Sequence, residues 1–124
     1  MSPEKQRISI AMACGWTDIR RQRLYAGDQD LWGTKLKGAE KHRNRLPDYL
    51  TDLNAMHEAE KGLTYEQTEQ FVFWMNHIHP SADIHHSLAH RDFRLEVFSL
   101  VHSPASQRSE AFLRTLGLWE EDAQ

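Results

Sequence analysis

Residues 16–36 read WTDIRRQRLYAGDQDLWGTKL, and their reading decides whether this chain is all-helical or mixed. β-Branched and aromatic residues flank AGDQD, a cluster of turn-forming types. The pattern predicts a short antiparallel hairpin, with strands near 16–21 and 31–36. Two strands alone are marginal in water, so the hairpin must pack on other elements.

Those elements are helical. Upstream, Ser2-Pro3-Glu4 offers a cap and a proline in the first turn. Ile8, Ala11 and Met12 follow at helical spacing, and Gly15 is a natural stop, so a helix is predicted over 3–14. Downstream, KGAEKHRNR completes a polar, basic loop over 37–45. A helix over 47–61 then carries Tyr49, Leu50, Leu53, Met56 and Ala59 on one stripe, with Asp48 in its first turn. Thr64-Tyr65-Glu66-Gln67 fits a capping box and opens a helix over 65–79, ended by Pro80. Asp92 to His102 fits strand or helix, and its unbroken apolar set favours a helix at about 92–102. Ser103-Pro104 starts a last helix over 104–116, with Ala111, Phe112, Leu113 and Leu116 inward, and EEDAQ trails as a solvated tail. The expected fold is α+β and mostly helical: four to five helices packed with a small antiparallel β-hairpin, in one domain over 1–124.

Composition bounds the function. Twelve aromatic residues among 124 are enough to build a core, which argues against disorder. No apolar run reaches the roughly 20 residues of a membrane helix. No secretory leader is evident, so the expected location is the cytoplasm. The single cysteine, Cys14, excludes an internal disulfide and any cysteine-based zinc cluster, and reads as a buried thiol. Between residues 17 and 45, eight basic residues face four acids, whereas 48–69 holds six acids and one lysine. Such an uneven spread suits internal pairing or two opposed faces offered to a partner.

Three segments together carry a resemblance. EKQRISIAMACGW (4–16), LPDYLTDLNAMHEAEKGLT (46–64) and SPASQRSEAFLRTLGLWE (103–120) resemble small uncharacterised phage and prophage proteins of the phage ABA sandwich domain group. The resemblance implies an α+β sandwich and a phage or prophage origin, hence a bacterial host cytoplasm. It implies no catalytic residues. By analogy with small phage accessory proteins, it points to binding of a host protein, such as inhibition of a defence system of the CRISPR-Cas kind. The contact surface expected for such a partner is the basic hairpin and loop: Arg20, Arg21, Arg23, Trp32, Lys35, Lys37, Lys41, Arg43 and Arg45, with Trp32 as the exposed aromatic anchor.

Two other functions compete. Five of eight histidines fall between residues 77 and 90. His85, His86 and His90 with Asp83 would supply three imidazoles and a carboxylate for zinc, possible in a hydrolase. Against this stand the missing H-E-x-x-H and the place of His77 and His79 at a helix C-terminus, where imidazole pairs with the last carbonyls. The polar helix end is the preferred reading, with no cofactor. Nucleic-acid binding is the other rival, by phosphate contact with the basic segment and stacking on Trp16, Tyr25 or Trp32, though the chain as a whole is acidic. His57 and Glu58, with Glu60 and Glu66, raise an acid–base site, but neighbours on a helix do not face each other. No phosphate loop and no activated nucleophile is visible, so a non-enzymatic binding protein is expected.

Overall fold

The computed structural model describes residues 1–23, 29–78 and 103–122. Four helices and three strands occur among them: α1 (Pro3–Ala13), β1 (Thr17–Arg23), β2 (Gln29–Lys37), β3 (Glu40–Arg45), α2 (Leu53–Glu60), α3 (Tyr65–Ile78) and α4 (Ala105–Thr115). The architecture is α+β, as the hairpin and the helical periodicities indicate. The centre of the AGDQD turn, Tyr25, and the predicted helix at 92–102 lie outside the described residues.

Helix α1 begins where the Ser2 hydroxyl accepts from the Lys5 N–H at 3.2 Å. It ends with Gly15 at φ 95°, and the Trp16 N–H turns back to the Ala11 carbonyl at 3.0 Å. A left-handed residue at this point closes the helix and redirects the chain into β1. Ile10 and Ala11 are fully buried, but Met12, expected inside, is 62% exposed. The run Ile10-Ala11-Met12 is wider than the face that α1 turns to the core.

The sheet has order β1-β2-β3, antiparallel throughout. Residues 37–45, expected as a basic loop, therefore contain a strand. Lys37 pairs with Glu40 across a two-residue turn, Gly38-Ala39, in which Gly38 adopts φ 67°. The strand escaped the sequence because its residues are all polar. With neither face of β3 deeply buried, no alternation marks it. Gly33 sits at the centre of β2, where an added Cβ would lie 3.0 Å from Leu46, 3.1 Å from Trp16 and 3.2 Å from Ile19. Its missing side chain is what lets those three pack onto the sheet.

The predicted helix over 47–61 shrinks to Leu53–Glu60. Asp52, not Asp48, terminates it: its carboxylate accepts from the N–H groups of Asn54 (3.0 Å) and Ala55 (3.3 Å). Tyr49 is still buried, but from the preceding turn. Helix α3 opens on a reciprocal box: the Thr64 N–H donates to Gln67 at 2.9 Å, and the Gln67 N–H to Thr64 at 3.2 Å. Pro104, rather than Ser103, occupies the cap position of α4, with extended backbone angles.

Helix α4 is the hub against which α1, α2 and α3 pack. Its Ala111 and Leu113 are fully buried and Phe112 nearly so. Ser109, also fully buried, shares its hydroxyl proton between the Ala105 carbonyl (2.8 Å) and the Tyr49 carbonyl (3.0 Å). Residues 120–122 are exposed, as expected of a solvated tail, yet each is ion-paired: Glu120 with Lys5, Glu121 with Arg114 at 2.8 Å, and Asp122 with the terminal ammonium.

Candidate partner-binding face

Side chains alternate between the two faces of a strand, so the register sorts the basic residues. Arg20 lies opposite Trp32, which lies opposite Arg45; Arg43 is opposite Thr34, and Lys41 opposite Leu36. These share the outer face of the sheet. Leu31 and Gly33 point the other way, into the core, and Arg21, Arg23, Lys35 and Lys37 alternate with that inner set. The nine residues expected to form one surface are thus split: Arg20, Trp32, Lys41, Arg43 and Arg45 outside, Arg21, Arg23, Lys35 and Lys37 on the inner side. Arg21 shows the consequence, reaching Glu4 of α1 at 2.5 Å.

On the outer face Arg43 is a strut. It donates to Gln22 (3.1 Å), to the carbonyl (3.1 Å) and carboxylate (3.2 Å) of Asp18, and to Thr34 (3.4 Å), so it spans all three strands. Asp18 is left-handed at φ 49°, where the β1–β2 register shifts between Thr17 and Arg20. That irregularity brings its carboxylate to Arg43 and, at 3.7 Å, to Arg20. Asp30 is held by Arg7 at 2.8 Å and by Arg45 at 3.1 Å. Burial opposes its ionisation, but the hydrogen bonds from Arg7 and the Leu31 N–H, with the charges of Arg7 and Arg45, outweigh that and hold the carboxyl below the usual range.

Among the described residues the acids of this face, Asp18 and Asp30, are therefore already engaged, while Arg20 and Lys41 remain exposed, and Leu36, opposite Lys41, is 62% exposed. Trp32 is not the exposed anchor that the sequence suggested. It is largely covered, its indole N–H buried without an acceptor, as is one amino group of Arg43. The face is rich in donors and poor in acceptors.

The other candidates are not assembled. His79, Asp83, His85, His86 and His90 lie outside the described residues. Among the described residues no group of three or more histidine, cysteine or acidic side chains is placed to hold a metal ion. His77 stacks on Phe73 with centroids 3.9 Å apart and donates from Nδ1 to the Phe73 carbonyl at 2.6 Å. Glu58 is tied to Lys61 at 2.6 Å, and this hydrogen bond, then the lysine charge, holds its carboxyl below the usual range. Glu60 is engaged by Arg108 on α4, so the acidic helix α2 presents no acid–base pair with His57.

One feature had no signal in the sequence. A cavity of about 540 Å³ is lined from several separated segments, among them Cys14, Trp16, Lys35, Tyr49, Leu63 and Leu116. Burial pushes the Cys14 thiol above its ordinary value, against the charge of Lys35 and a hydrogen bond from Tyr49. Burial, then the neighbouring Cys14, likewise pushes the Tyr49 phenol up. The Trp16 N–H faces that phenol closely enough to oppose the rise, but not in hydrogen-bond geometry. Only spatial assembly of residues 14, 16, 35 and 49 reveals this site.

Comparison of the chain with protein-family models, with curated proteins and with solved structures finds no match.

Proposed function

We propose that this chain is a non-enzymatic binding protein that engages an acidic surface of a protein partner through the outer face of its sheet. In the phage setting that the sequence resemblance suggests, that partner is a host protein, of the kind that a phage inhibits to escape a defence system such as CRISPR-Cas. The observation that carries the reading is the charge of this face. Asp18 and Asp30 are both engaged by arginines, while Lys41 makes no ion pair among the described residues. Residual positive charge on an ordered sheet steers and orients an acidic partner. A protein is favoured over single-stranded nucleic acid because Trp16 and Trp32 are covered, so among the described residues the sheet presents no exposed tryptophan for stacking.

The test compares two charge reversals of equal size. Arg20→Glu with Lys41→Glu alters the outer face; Arg23→Glu with Lys37→Glu alters the inner side. Capture of a bacterial host protein from nuclease-treated lysate is expected to fall in the first variant only. Equal loss in both, or capture abolished by the nuclease, would overturn the reading.

A further inference from the structure

The cavity beside Cys14 is distinct from the outer face of the sheet, and nothing in the partner-binding reading uses it. Its volume, about 540 Å³, lies within the range of roughly 300–1,000 Å³ typical of small-molecule sites. Ala55, Ala59, Leu63, Phe112 and Leu116 supply apolar wall, and Gly62 adds no side chain to the lining. Polar groups converge at one end. Lys35 is exposed, places its ammonium 5.7 Å from the centre of the Trp16 ring, and makes no ion pair among the described residues. Trp16 is 8% exposed, and its N–H lacks an acceptor. The acid on this rim, Glu58, is already paired with Lys61. The cavity therefore offers an apolar body and a cation that makes no ion pair among the described residues, while the Trp16 N–H lies beneath the lining without accessible surface.

We propose that this cavity binds a small amphipathic carboxylate, whose hydrocarbon portion lies against Ala59, Leu63 and Leu116 and whose carboxylate pairs with Lys35. A neutral molecule of the same shape would fill the walls and leave the lysine unmatched. A cationic one would meet Lys35 directly. The ammonium remains partly in water, so the charge supplies selectivity and the walls supply most of the affinity.

The experiment titrates the full chain with octanoate and 4-phenylbutyrate, and with the corresponding neutral amides, by calorimetry. In parallel, mass spectrometry follows alkylation of Cys14 by iodoacetamide. At least one of the acids is expected to bind at one site, about fivefold more tightly than its amide. The bound acid is expected to slow alkylation of Cys14. Lys35→Met is expected to abolish the preference for acid over amide while amide affinity persists, and Lys35→Arg to restore it. Lys35 is exposed, so these variants leave the core untouched. Absence of saturable binding by both acids, a Cys14 that stays equally reactive when the acid is bound, or an acid preference that survives Lys35→Met would each overturn the proposal.

Discussion

Arg108 grips Glu60 with two nitrogens. Its Nε lies 3.0 and 3.2 Å from the carboxylate oxygens, an Nη closes the fork, and both side chains are nearly buried, 12% and 13% exposed. The pair joins α2 to α4, and the guanidinium also lies 5.4 Å from the centre of the Phe71 ring on α3. One arginine thus ties three helices at a place where a lone charge would be poorly solvated. Breaking such a pair costs more than omitting it. Arg108→Met is expected to lower unfolding stability by about 3 kcal/mol, while the double change with Glu60→Leu recovers most of that loss. Urea unfolding of the three variants measures it. A double variant no better than the single one would show that the pair itself, not the stranded carboxylate, carries the stability.

Gly33 behaves unlike most glycines in strands. Replacement by alanine ordinarily stabilises a strand by reducing backbone entropy. Here the new methyl would press on Leu46, Trp16 and Ile19, of which Leu46 and Trp16 are buried and have little room to move. Gly33→Ala is expected to cost about 1–3 kcal/mol. Thermal unfolding that shows Gly33→Ala more stable than the parent would mean that the sheet can lift from the helices at no cost.

How far the sequence foretold this molecule follows from what each signal measures. Caps and glycine stops are local chemistry, and the turns at Gly15 and Thr64 stand in the sequence as they do in space. The α+β class was legible because residues 16–36 set β-branched and aromatic residues on either side of a turn-forming cluster. β3 was not legible, since a strand of Glu40, Lys41, His42, Arg43, Asn44 and Arg45 has no apolar face to betray it. Trp32 misled for a related reason. Its type suggested an exposed anchor, but its cover depends on cross-strand neighbours that only register reveals. The division of the basic residues between two faces was likewise hidden until β1 and β3 were placed beside β2. The cavity is a still more distant relation, because Cys14, Lys35 and Tyr49 meet only after the sheet has closed on α1 and α4.

Arg7 and Asp30 give a prediction in pH. Arg7 donates to Asp30, to the Pro47 carbonyl at 2.9 Å and to the Leu46 carbonyl, so it fastens α1 to the end of the sheet. Because the folded Asp30 carboxyl titrates below its unfolded value, its contribution is fully present above the ordinary aspartate pKa of about 3.9. That contribution fades as pH falls through the lower, folded value. Asp30→Asn is expected to cost about 1.5 kcal/mol near neutrality. The gap to the parent should narrow once the pH drops below about 4. Denaturant midpoints collected across that range provide the check, and a gap independent of pH would assign the effect to packing rather than to charge.

The thiol of Cys14 offers a direct reading of the cavity's electrostatics. Burial raises its pKa, while Lys35 and the Tyr49 hydroxyl pull it down without cancelling the rise. Alkylation requires the thiolate, so the midpoint of its pH–rate profile reports the pKa, while accessibility scales only the plateau. The parent midpoint is expected to lie above the ordinary cysteine value of about 8.5. Lys35→Met removes an opposing charge and should move the midpoint higher still, with the plateau little changed because Lys35 is exposed. A parent midpoint at or below the ordinary value would mean that the thiol is far better solvated than its place beside Trp16 and Tyr49 implies. An unmoved midpoint in Lys35→Met would mean that the ammonium spends its time away from the cavity, and the charge selectivity proposed for that site would lose its source.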